Sequence, residues 1–171
     1  MWKYFLPDFY FDKYSDITPQ FLLDNNIHTL LLDVDNTLAP YEQAEPDEKL
    51  FDWFSSLEEN GIKAALISNN KTERVELFNK DLKLPAYPDA HKPCKKTLLV
   101  ALKELGTDTE NTAVMGDQLF TDAYGGKHIG MRAIIVPPIK DKKTLFFRFK
   151  RALEKPIMKS YYREKSKNCE K

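Results

Sequence analysis

Cysteine and histidine are scarce in this 171-residue chain. Cys94 and Cys169 have no CxxC partner, and His28, His91 and His128 form no ligand-spaced pair. A zinc site and a secreted disulfide framework are therefore disfavoured. Long apolar runs are missing too: the longest extend over a few residues, against the roughly 20 needed to cross a bilayer. Pro7, Asp8 and Asp12 interrupt any apolar core near the start, so the first residues do not read as a secretion signal. A reducing cytoplasm is the expected compartment. With 6 glycines and 10 prolines, collagen-like and low-complexity classes are excluded. What remains is a globular composition, 42% hydrophobic and 30% charged, at a length suited to one compact domain. Such a chain can bury enough surface to fold without a disulfide or structural metal.

Net charge is also missing, with 26 basic against 26 acidic residues, but it is unevenly spread. Residues 140–171 hold twelve Lys or Arg and four acids; residues 1–139 hold fourteen and twenty-two. The expected organisation is a domain over 1–139 followed by a basic helical segment over 140–171. That segment either meets an anionic surface or folds back on its own acidic domain. It carries Phe146, Phe147, Phe149, Tyr161 and Tyr162, but no nucleic-acid motif, so no nucleic-acid partner is expected.

Apolar runs alternate with helical periodicity, the pattern of a parallel sheet with crossover helices. Strands are expected at Ile27–Asp33, Ile62–Ile67, near Ala86, at Thr112–Met115 and at Ala133–Val136. Helices are expected from Thr18 and Pro19 to Asn25, from Asp47 to Asn60 with Pro46 in the first turn, from Asn70 to Leu82, and from Cys94 to Leu105. Asn70 with Glu73 reads as a capping box, while Gly61 and Gly106 read as helix stops. Seven aromatics in the first fourteen residues suggest a segment packed on the core.

Ligands in open α/β sheets bind beyond the carboxyl ends of the strands, so polar residues there are the first functional candidates. Four sets qualify. Asp33 and Asp35 lie two apart on an extended segment and share a side. One carboxylate can attack an electrophile while the other moves protons, although an Asp-x-Asp pair also serves as ordinary turn chemistry. Ser68, Asn69 and Asn70 close a strand before a helix, where they can bind phosphate or simply cap. Lys92 precedes Pro93 and can project an ammonium toward a phosphoryl group, or into solvent. Asp117 and Asp122 follow another strand; with Asp33, Asp117 offers the oxygen ligands that magnesium favours.

In this order at these strand ends, the motifs resemble the haloacid dehalogenase (HAD) superfamily of aspartate-nucleophile phosphatases. That resemblance implies a Rossmann-like parallel sheet flanked by helices. It assigns Asp33 as nucleophile, Asp35 as general acid and base, Ser68 as a phosphoryl ligand, and Lys92 as the cation stabilising an aspartyl phosphate. Mg²⁺ would be held by Asp33, Asp117 and the main-chain oxygen of Asp35. Asn69 is a further phosphate-binding candidate, and Asp122 would support the metal site from behind or orient Lys92. Asp-Val-Asp-Asn-Thr-Leu, Ser68-Asn69-Asn70, Lys92-Pro93 and Gly116-Asp117-Gln118, with Leu6-Pro7-Asp8 and Ile17-Thr18-Pro19, narrow the resemblance to the YqeG-like phosphatases of subclass IIIA. Relatives of that group include phosphatidylglycerophosphate phosphatases, which makes this phospholipid precursor the implied substrate.

The gaps from Leu38 to Ile62 and from Asn70 to Lys92 each fit little more than one helix. No sizeable cap is expected, and the site should be open to a bulky or surface-held substrate, such as a phospholipid at an anionic membrane. The alternatives are a nucleotide, sugar phosphate or phosphoprotein substrate, or a binding module that keeps the fold without turnover. Nothing in the residues specifies an oligomeric state.

Overall fold

The computed structural model describes residues 2–140 and 145–169. Six strands form one sheet: β1 (Phe9–Tyr10), β2 (Thr29–Leu32), β3 (Lys63–Ile67), β4 (Ala86–Tyr87), β5 (Thr112–Gly116) and β6 (Arg132–Ile135). Their spatial order is β1-β6-β5-β2-β3-β4, and every pairing is parallel. The helices are α1 (Pro19–Asp24), α2 (Glu48–Glu59), α3 (Thr72–Asn79), α4 (Lys95–Leu105), α5 (Tyr124–His128) and α6 (Leu145–Cys169). This is the parallel sheet with crossover helices expected from the alternating pattern, in the Rossmann-like form that the resemblance implies.

Sheet and helices bury side chains by a period-2 division. Leu30 and Leu32 of β2 face one hydrophobic cluster with Leu66, Phe78 and Met115, while Leu31 faces a second with Ile67, Leu98 and Val114. A strand buried on both faces needs such a continuous apolar run. On the first side Trp53 also donates its indole N–H to the Ile17 carbonyl at 2.9 Å, tying α2 to the segment before α1. On the second side α6 lays Ile157 into the cluster, and Glu154 and Tyr161 are buried beside it.

Several local expectations change. The aromatic N-terminal segment does more than pack: Phe9 and Tyr10 pair with Ile134 and Ile135 as an edge strand. Pro46 lies outside α2, whose cap is Asp47, accepting from the Leu50 N–H at 2.9 Å. The Asn70–Glu73 capping box does not form. The cap position of α3 is Lys71, without a side-chain bond; the Asn70 side chain instead donates Nδ2 to Asp35 at 3.0 Å and accepts the Lys71 N–H on Oδ1 at 2.8 Å. A single helix fills the stretch between β2 and β3, and another that between β3 and β4, so neither gap holds a cap domain. Among the described residues, no helix is long and apolar enough to cross a membrane.

Candidate functional site

β2 lies between β3 and β5, where the chain order reverses, and the three strands end side by side. Such a switch point is where an open α/β sheet leaves a crevice. Asp33 follows β2, Ser68 follows β3 and Asp117 follows β5, so the strand-end motifs converge. The Asp33 backbone N–H donates to the Met115 carbonyl at 2.9 Å, joining two of them directly.

The Asp33 carboxylate is held at both oxygens. Lys92 Nζ donates to Oδ1 at 2.8 Å, and Thr37 Oγ1 donates to Oδ2 at 3.1 Å. The same ammonium donates to Asp122 Oδ1 at 2.7 Å. Lys92 is 5% exposed. Burial alone would lower its pKa, but the Asp122 and Asp33 carboxylates outweigh that and hold it above the usual lysine range. Burial pushes the Asp122 carboxyl upward, with Lys92 opposing and Asp33 adding to the rise. Asp122 also accepts from the Gln118 N–H at 3.2 Å. Gly116 makes room for this arrangement, since a Cβ there would sit 2.2 Å from Asp122 Cγ.

Asp33, Asp117 and Asp122 each offer a carboxylate oxygen, all within 4.8 Å of one another, and all three residues are buried. An all-oxygen, anionic donor set fits a hard divalent cation, with one or two carboxylates as its protein ligands. Lys92 and the backbone of Gln118 engage Asp122, whereas Asp117 Oδ1 accepts from Gln118 Nε2 at 3.2 Å. Behind this loop, the Leu119 N–H donates to the buried Glu154 carboxylate of α6 at 3.1 Å. Within a basic segment, Glu154 was an unremarkable acid in the sequence; only its spacing with Ile157 and Tyr161 hints at an inward face.

Asp35 has its own partners. Arg74 Nη2 lies 3.1 Å from Oδ1, and Asn70 Nδ2 donates to Oδ2 at 3.0 Å. Arg74 also donates to the Ala44 carbonyl at 3.3 Å, and its guanidinium lies 5.3 Å from the Phe78 ring centroid. Arg74 lies inside α3, where its position carries no motif signal in the sequence. Ser68 Oγ accepts from the Asn70 N–H at 3.1 Å, which leaves its own proton available to donate. Asn69 is engaged at both ends of its amide: Nδ2 donates to the Lys92 carbonyl at 3.0 Å and Oδ1 accepts the Lys92 N–H at 2.6 Å. It clamps the backbone of the residue whose ammonium reaches Asp33. These groups border a cleft of about 220 Å³, on which Asp33, Asp35, Ser68 and Lys92 converge, with Tyr41 and Gln118 also on its wall.

A carboxylate held against a buried ammonium, a second carboxylate on the same cleft and a third nearby can carry out nucleophilic displacement on an anionic electrophile. Known proteins resemble this chain in sequence and in fold. The family model of the haloacid dehalogenase-like hydrolases matches residues 10–136. The chain is 35% identical over 162 residues to the "Probable phosphatase YqeG" of Bacillus subtilis (strain 168), covering 95% of this chain and 94% of that protein. An uncharacterized protein from Listeria monocytogenes serotype 4b has a similar solved structure, with TM-score 0.55 and 16% identity over 69% of this chain and 85% of that one. A hypothetical protein from Xanthomonas campestris does so with TM-score 0.54 and 21% identity, covering 69% and 72%. These two likenesses concern the fold.

Proposed function

This chain belongs to the haloacid dehalogenase-like hydrolase family and is a phosphatase, and from that premise we propose that it hydrolyses a phosphomonoester through a phosphate ester on Asp33. The observation that carries the reading is the Lys92 ammonium, 2.8 Å from Asp33 Oδ1, on a cleft that Asp35 shares.

A phosphate monoester is a dianion, and a carboxylate cannot close on it without nearby positive charge. Lys92 supplies one cation, and Asp122 aims it. Asp33, Asp117 and the main-chain oxygen of Asp35 would hold Mg²⁺, which when bound neutralises phosphoryl charge. Asp33 attacks phosphorus as the ester P–O bond breaks, and Asp35 gives its proton to the departing alcohol oxygen. Asp35 then takes a proton from water, whose oxygen attacks the phosphorus of the aspartyl phosphate. Inorganic phosphate leaves and Asp33 is restored. The Ser68 hydroxyl, its lone pair already accepting from Asn70, donates to a phosphoryl oxygen. Asn69, with both ends of its amide on the Lys92 backbone, acts on phosphate through the placement of Lys92.

The proposed substrate is phosphatidylglycerophosphate. Three features support it: the resemblance of the strand-end motifs to the YqeG-like group, a cleft with no cap domain over it, and a basic C-terminal segment suited to an anionic membrane surface. The test is phosphate release from that lipid in detergent micelles, alongside a nucleotide, a sugar phosphate and a phosphopeptide, with and without Mg²⁺. Lipid hydrolysis should exceed the others, require Mg²⁺, and vanish in a folded Asp33→Asn protein. Wild-type turnover by that variant would refute the nucleophile, and preference for a soluble ester would refute the lipid.

A further inference from the structure

α6 is 25 residues long and has two unlike faces. Its inward face buries Glu154, Ile157 and Tyr161. Lys165 is also drawn back toward the body, its ammonium 5.8 Å from the Phe9 ring centroid and 5.7 Å from that of Tyr161. The outward face carries Lys155, Lys159, Tyr162 and Arg163, all exposed and three to four residues apart along the helix or adjacent. Along its flanks Phe149 is 63% exposed, Tyr162 51% and Leu153 45%. Glu154, the one acid among the described side chains of α6, points inward to the Leu119 N–H, so the outward face is cationic among the described residues.

Exposed apolar side chains bordering a basic stripe have two separate attractions to a lipid surface. Lys and Arg meet anionic headgroups, and aromatic or aliphatic side chains enter the boundary between headgroups and acyl chains. A duplex nucleic acid, its bases stacked inside and its outside lined by phosphate, would engage the cations but bury little of Phe149 and Leu153. We infer that the outward face of α6 docks on an anionic lipid bilayer, with Lys155, Lys159 and Arg163 on the headgroups and Phe149, Leu153 and Tyr162 in the interface. α6 is also the helix whose Glu154 holds Leu119, two residues beyond Asp117, so the docked helix abuts the loop that forms one wall of the catalytic cleft. The docking deepens the lipid-substrate reading and rests on it for its purpose, while its test is independent of turnover.

The test is flotation of the full chain with phosphatidylcholine vesicles, either pure or carrying about 30% phosphatidylglycerol. The protein should float with the anionic vesicles only, and salt should weaken the association. Each Lys or Arg near such a surface contributes about fivefold to partitioning. The triple charge reversal K155E/K159E/R163E should therefore lower binding at least about a hundredfold. F149S/L153S, with all charges kept, should lower it severalfold. Equal binding to neutral vesicles, or unchanged binding of the triple variant, would overturn the proposal. So would a loss confined to the charge variant, since that is the behaviour of a simple polyanion contact. Hydrolysis of p-nitrophenyl phosphate separates the two readings: the triple variant should retain it, and a wild type that floats but never hydrolyses would sink only the phosphatase mechanism.

Discussion

Arg74→Met tests how Asp35 is aimed. The guanidinium lies 3.1 Å from Asp35 Oδ1, and the two side chains are only 15% and 14% exposed, so solvent screens the contact weakly. Hydrogen bonds to charged groups in such settings contribute about 1.5–3 kcal/mol. Methionine keeps an apolar stem over Phe78 but removes both this bond and the one to the Ala44 carbonyl, leaving Asp35 with Asn70 as its remaining described partner. As Asp35 gives up its proton it becomes a carboxylate, and the guanidinium stabilises that charge as it develops; at 1.4 kcal/mol per tenfold the loss is about 10- to 100-fold in rate. A proton donor matters most when the departing oxygen is a poor leaving group. An alkyl phosphate should therefore lose at least tenfold more kcat/KM than p-nitrophenyl phosphate, whose phenolate departs without a proton. The ratio of kcat/KM values reports phosphoryl transfer to the enzyme rather than later hydrolysis of the intermediate. Arg74→Lys, which keeps the charge and loses the planar fork, should fall between. Equal losses on both substrates, or no loss on the alkyl ester, would refute the assignment of Arg74 to Asp35's aim and leave it a structural tie.

The remaining predictions concern the end of β5, the loop after it and its support from α6. Mg²⁺ at 100 times its dissociation constant should stabilise the wild type by about 2.7 kcal/mol, and Asp117→Asn should lose most of that gain in thermal melts run with Mg²⁺ and with chelator. Gly116→Ala places a Cβ 2.2 Å from Asp122 Cγ, forcing that carboxylate off Lys92. It should cost about 1–3 kcal/mol in urea unfolding as an overpacking change and should lower kcat more than it raises KM. Glu154→Ala orphans the Leu119 N–H and should cost about 1–3 kcal/mol. Glu154→Gln keeps an acceptor there and should cost less than half of that by the same measurement.

The parts of the site legible in the sequence are those set by one strand and its following loop. Asp33 with Asp35, Ser68 and Asp117 could be found because a continuous apolar run ends in polar residues, and such ends share one edge of a parallel sheet. Contacts that depend on how separate elements lie against each other were not legible. Arg74 meets Asp35 only because α3 runs past the β2 loop, and its side chain is long enough to reach from inside a helix. Asn70 shows the competition directly. Its local pattern favours a capping box, worth about 1 kcal/mol, yet Nδ2 donates to a partly buried carboxylate, a charge-assisted bond of about 1.5–3 kcal/mol, and with the amide so placed Oδ1 accepts the adjacent Lys71 N–H at 2.8 Å rather than one further into the helix. The tertiary partner wins on magnitude, and the helix begins at Lys71 without a side-chain cap. Glu154 is a second case. Composition places a glutamate of a basic helix in solvent, but in the fold its carboxylate is buried and accepts the Leu119 N–H at the turn after Asp117. Both cases fall where a local preference is overruled by the Asp35 carboxylate or by the loop after Asp117. A polar residue that forsakes its local role in this fold is therefore itself a pointer to the site, and Arg74, reaching out of its helix to Asp35, meets that description as fully as Asn70 does.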